Sequence, residues 1–360
     1  MNMDCDNATD TAAWAARASL RAGFRRRGMR AAVLSGMGYG IYTACMTLAM
    51  SLGVWARWTG ENSGLSAFAS LYLLGALGAA STDTCSAFWA LLAAAVRGNL
   101  GDYARCLRSR PGRILIMAAV LGGPVASTCY VLGLQSAGSL VVPVSAMCPA
   151  IGAVLGRVLF RQPLSPRMLL GIGICVTAGA MIGSTGLEEG APPHLFRGLA
   201  FGLLAALGWG LEGCVGGYAS ALVDPEIGIA IRQTTSSLTN LVLLVPLFSV
   251  LGGVDPTAMI AAAFTDTAAM PWFMAAGLGA YFGFMLWYKG NAMCGAALGM
   301  ACNGAYAFWG PFFCWLLLGL VMGREGYLLP PIAWLAAVTM LTGIVVISVN
   351  PLRLFAQKER

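Results

Sequence analysis

The sequence predicts an all-α integral membrane protein of ten transmembrane helices, laid out as two inverted five-helix repeats. Composition, the spacing of the apolar segments and internal repetition carry that expectation. Of 360 residues, 58% are hydrophobic and only 10% are charged, and the mean hydropathy is +0.74. Soluble domains carry about 25% charged residues. A water-soluble fold of this length would lack the polar residues to coat its own exterior, so the bilayer is the solvent that fits.

A helix needs roughly 20 apolar residues to cross the hydrocarbon layer. Segments of that kind run over 31–54, 67–95, 114–136, 139–160 and 167–187, then over 198–222, 228–252, 271–291, 295–321 and 330–350. Charge, proline and glycine interrupt the apolar character between most of them. Pro124, Pro143, Pro149 and Pro311 fall inside segments, where they kink a helix and free carbonyls. GxxxG pairs such as Gly36/Gly40 and Gly279/Gly283 suit close helix packing.

Basic residues set the expected orientation. With the N-terminus inside, 19 of the 22 Lys and Arg fall on the cytoplasmic side; only Arg57, Arg197 and Arg324 do not. Residues 1–30 then form a basic cytoplasmic tail without the apolar stretch and cleavage site of a signal peptide, and 351–360 form a second cytoplasmic tail. The bias also accounts for the net charge of +7 without a nucleic-acid partner. The expected location is a bacterial inner membrane.

The 11 cysteines form no CxxC pair, and the single histidine is His194. Metal ligation, cofactor binding and histidine-based catalysis are therefore not expected. A membrane-embedded enzyme acting on lipid would need a clustered acid, base or metal set, and the lone His194 and the absence of paired Asp or His motifs in the spans argue against one.

The repeats are residues 31–187 and 198–350. Gly38-Tyr39-Gly40 aligns with Gly208-Trp209-Gly210, and Tyr42 with Glu212. Tyr130–Gly133 aligns with Trp287–Gly290 and Gly138 with Gly295; Pro166 and Gly179–Ser184 align with Pro330 and Gly343–Ser348. Five is odd, so the second copy enters the membrane from the opposite face. Inverted repeats place a substrate site near the midplane and open it alternately to each side, which is the expectation of a transporter.

The same plan resembles the drug/metabolite transporter superfamily with its EamA-type repeat. The resemblance is carried by 130–184, with Gly133, Gly138, Pro143 and Arg161-Gln162-Pro163-Leu164, and by Gly208-Trp209-Gly210. A narrower likeness is to the bacterial choline permeases, through Gly208–Gly213, Asp224-Pro225-Glu226 and Ile231–Ser236. It implies a permease for choline or a related quaternary amine.

Glu212 is the most informative single residue. A carboxylate in mid-span costs roughly 2.5–3.5 kcal/mol on insertion scales, so it faces a cavity or a partner. Trp209 shares its helix face, and Tyr39 and Tyr42 occupy the matching positions of the first span. A carboxylate among aromatic faces suits an organic cation. Trp287 and Tyr306 are further cage candidates, with Tyr281 and Tyr288 behind them, and Asn303 adds a polar contact at helical spacing from Tyr306 and Gly310. Asp83 is a candidate for a coupling proton or for capping a helix break. Arg232 reads as a snorkelling residue, with Glu226 and Glu212 as alternative partners. The alternative function is a proton-coupled exporter of amino acids or other small metabolites. Expected partners are a cationic small molecule and the lipid bilayer; a homodimer stays open.

Overall fold

A computed structural model describes residues 3–60, 63–160, 165–184, 192–220, 222–294, 296–327 and 329–348. The loop 161–164, Gly295 and the tail 351–360, to which parts of the sequence reading refer, lie outside them. Among the described residues the secondary structure is entirely helical. Apolar chain in lipid can satisfy its own peptide groups only within helices or closed barrels.

Among the described residues, each of the ten apolar segments is largely helical. In chain order they are α1 (Met3–Ala49), α2 (Ala69–Val96), α3 (110–137), α4 (141–160), α5 (Pro166–Ser184), α6 (Leu195–Ser220), α7 (Pro225–Gly252), α8 (Met270–Cys294), α9 (296–321) and α10 (Pro331–Ser348). Among the described residues, five helical stretches are long and apolar enough to cross a membrane: 19–49 in α1, α2, 110–145 (α3 running into the start of α4), 195–216 in α6, and α7. A sixth arises if Pro256–Thr265 and α8 count as one span, bent by 86°. Several candidate membrane-spanning helices are thus present. α5 and the apolar parts of α9 and α10 are shorter than that length.

The shortfall has local causes. α4 breaks at Ala146 and Met147, between Val141–Ser145 and Cys148–Phe160, and α9 breaks at Gly304 and Ala305, between Ala296–Asn303 and Tyr306–Val321. The second break separates Asn303 from Tyr306, so the two do not share one continuous helix face as their spacing suggests. Proline has the anticipated effect in α3, where Pro124 sits inside a wide π-turn over Leu121–Ser127. Wide turns of the same kind occur at Ala69–Leu73, Asn240–Leu244 and Trp315–Val321. Gly138 ends α3 with φ +59°, a left-handed value that a side chain would resist.

Glycines set the tightest helix contacts. A Cβ on Gly38 of α1 would stand 2.9 Å from the Gly283 backbone of α8. One on Gly133 of α3 would meet the Gly198 carbonyl of α6 at 3.1 Å, and one on Gly343 of α10 the Gly171 carbonyl of α5 at 2.9 Å. The main packing pairs are α1 with α8 and α9, α6 with α3 and α4, α2 with α7 and α8, α7 with α3, and α5 with α10. The outward faces carry large apolar residues such as Leu169, Val176, Val242 and Val250, as a lipid-facing surface requires.

At the bend before α8, the Asp266 carboxylate accepts from the backbone N–H groups of Ala268 and Ala269 and from that of Val54, 212 residues away in sequence. One side chain thus caps a helix start and pins the short Gly53–Thr59 helix to it.

Candidate functional site

The site forms where α7 packs between α2 and α3. Residues 232, 236 and 240 recur every four positions, so Arg232, Ser236 and Asn240 lie on one face of α7. That face is buried, and in an apolar interior each polar group must find a partner. The Arg232 Nε donates to Glu212 Oε1 at 2.9 Å, and its Nη2 lies 3.4 Å from Oε2. Nη2 also donates to the Gly122 carbonyl at 3.2 Å and Nη1 to Gln233 Oε1 at 2.7 Å. Gln233 in turn donates to Ser86 of α2 at 2.5 Å.

Glu212 gains a third donor from the Tyr288 hydroxyl at 3.1 Å. Asp83 stands on the other side of Arg232, its Oδ1 3.9 Å from Nη1. It accepts from the Ser236 hydroxyl and, at 3.4 Å, from the Asn240 amide. One guanidinium therefore faces two buried carboxylates. The π-turn of α3 makes room for this arrangement: a Cβ on Gly122 would overlap the Glu212 carboxylate, and one on Gly123 the Ser236 hydroxyl. The Gly122 carbonyl also accepts from Trp209 Nε1 at 2.9 Å, which fixes the indole beside the ion pair.

Aromatic rings continue from the charged group. Phe284 lies under Arg232, with the guanidinium carbon 3.5 Å from the ring centroid, a cation–π geometry. Tyr39 is 4.7 Å from Phe284, 5.4 Å from Tyr306 and 6.3 Å from Trp209, centroid to centroid. Tyr130 is 5.1 Å from Trp209 and 6.2 Å from Tyr42. Its hydroxyl shares a 2.7 Å hydrogen bond with Thr43.

The structure thus brings Tyr39, Tyr42, Trp209 and Tyr306 together beside Glu212, with Asp83 across Arg232. Trp287 reaches the group only through Phe284 and Tyr288, at 6.1 and 5.5 Å, and its buried Nε1 has no hydrogen-bond partner. Asn303 sits apart, donating to Ser35 of α1 at 2.6 Å. Tyr281 contacts Phe282 instead of the cluster. Arg232 does not snorkel: it is fully buried, while Glu226 pairs with Arg97 at the end of α2. Phe284, Tyr130 and Gly122 were not singled out for this site by sequence reasoning. The Gly122-Gly123 pair before Pro124 was the available signal, because only close approach explains two small residues at a kink.

Above this cluster, one turn along α1, opens a hollow of about 620 Å³. Thr47, Gln135, His194, Arg197 and Tyr327 line it, and Thr47 bonds back to the Thr43 carbonyl at 2.8 Å.

No family model and no curated protein matches the chain. Among matching solved structures, one described only as the crystal structure of a protein shares 20% identity over 88% of this chain and 94% of its own, with a TM-score of 0.49. A likeness of that degree carries no argument.

Proposed function

We propose that the protein is a membrane transporter for a small organic cation such as choline or a related quaternary amine, working by alternating access. The observation that carries this reading is the charge balance of the buried group: Glu212 and Asp83 outnumber Arg232, and the group is walled by Trp209, Tyr39 and Phe284. Such a place lacks one positive charge and offers ring faces, which suits a diffuse cation.

The layout that goes with it is ten spans in two inverted repeats with both termini inside, in the manner of the drug/metabolite transporter superfamily. Two features support that layout. Exchanging α1–α5 with α6–α10 turns α1·α8 into α6·α3, α1·α9 into α6·α4 and α2·α8 into α7·α3, and returns α2·α7 and α5·α10 to themselves. The two broken helices, α4 and α9, hold the same place in each half.

A monovalent cation gains roughly 2.3 kcal/mol per 100 mV of inside-negative potential, about fifty-fold in concentration. Radiolabelled choline should therefore enter proteoliposomes faster when such a potential is imposed. Glu212→Gln should abolish both uptake and binding; a variant that binds and carries choline normally sinks the reading.

The second reading is a proton-coupled exporter of amino acids or other small metabolites. Asp83 favours it, because its carboxylate has hydroxyl and amide partners but only a distant guanidinium. Efflux of a neutral substrate driven by an imposed proton gradient, and lost in Asp83→Asn, would select it.

A further inference from the structure

The guanidinium of Arg232 holds the place the proposed substrate would need. It lies on a ring face, 3.5 Å from the Phe284 centroid, and is paired to Glu212 at 2.9 Å. Carboxylate and aromatic face are the two elements that recognise an organic cation. A second berth stands ready, since Nη1 is already 3.9 Å from Asp83. To make that pair, Nη1 leaves Gln233, its acceptor at 2.7 Å, a shift within the reach of a long side chain.

We propose that Arg232 is a tethered substitute for the substrate, seated on Glu212 and Phe284 when the site is empty and displaced towards Asp83 when the cation enters. This rests on the cation-transport reading and adds a consequence to it. An unpaired buried carboxylate is strongly disfavoured, so a carrier with an empty, uncompensated site would stall on its way back. With Arg232 on Glu212 the empty carrier has a neutralised pair at that position, as the loaded one does, while Asp83 keeps its Ser236 and Asn240 donors and the guanidinium 3.9 Å away. It can reorient without cargo, and net transport follows. Asp83 acts as a positioning residue, receiving Arg232 without touching the substrate.

The test compares two modes in proteoliposomes of the full chain with radiolabelled choline: net uptake into substrate-free vesicles, and exchange in vesicles preloaded with unlabelled choline. The wild type should perform both. Arg232→Gln should lose net uptake by at least about tenfold while exchange stays within about threefold of wild type, because cargo now supplies the charge in both directions. Choline affinity, read from intrinsic tryptophan fluorescence, should hold or tighten as the competitor is gone. Asp83→Asn supplies an independent arm if Arg232→Gln yields no folded protein. Removing the second berth should weaken choline binding by about tenfold, with exchange retained at saturating choline. A folded Arg232→Gln that keeps both modes, or loses both, overturns the proposal, as does unchanged affinity in Asp83→Asn. A wild type that moves neither choline nor tetramethylammonium in either mode refutes the transport reading itself.

Discussion

Gly122 shows how much one missing side chain contributes. Its bare Cα lets α3 approach the Glu212 carboxylate, and its carbonyl takes donors from both Trp209 and Arg232. Overpacking such a contact costs typically about 1–3 kcal/mol. Gly122→Ala should therefore lower the melting temperature in a thermal-shift assay and weaken cation binding in parallel. Gly173 has no neighbour within 4 Å of an added Cβ, so Gly173→Ala should leave binding unchanged and hold or raise stability. Equal melting temperatures for the two variants would contradict the packing argument. Glu212 was legible from the sequence because a carboxylate in an apolar segment is costly wherever it points. Its partner was not, because an arginine eight residues inside α7 fits both a snorkelling and a paired role. Only the depth of the fold decides between them.

At the scale of elements, the Asp266 elbow joins three pieces of chain: the Gly53–Thr59 helix, the Pro256–Thr265 helix and α8. Partial burial pushes its carboxyl up, but the N–H groups of Val54, Ala269 and Ala268, with Arg57 nearby, outweigh this and hold it below its ordinary value. A depressed carboxylate adds stability above its unfolded value, near pH 4, and loses it as the pH falls through the lower folded value. Melting curves taken from about pH 6 down to about pH 3 should show wild type and Asp266→Asn converging as acid is added. A constant gap would count against the capping role. Helix positions were readable because long apolar runs admit little else. The breaks in α4 and α9 were harder to read: Pro143 and Pro149 flank the first without fixing it, and Gly304 is one glycine among 47.

For the whole molecule, the proposed repeat draws on two separate lines, the sequence and the packing pattern. Gly38 and Gly208 align in sequence, and each lies in a close contact, α1 against α8 and α6 against α3. What pairwise alignment could not supply is how the halves interlock. Arg232 and Asp83 belong to different halves, as do Glu212 and Gly122. The charged group is therefore a joint product of both halves, and no inspection of one half reveals it.

The hollow above Thr43 has a kinetic consequence. Among the described residues its lining includes Arg197 and no acidic side chain. On the cation-transport reading, a cation entering from that side meets the Arg197 charge before any attraction below, and the Debye length of about 10 Å at 0.1 M salt is comparable to the dimensions of such a mouth. Added salt should then speed the encounter, the reverse of ordinary electrostatic steering. Stopped-flow association rates for choline should rise with ionic strength, and the slope should flatten in Arg197→Gln. The entrance would thus throttle capture in dilute medium and relax in brine, a rate control exerted before the cargo touches its binding site.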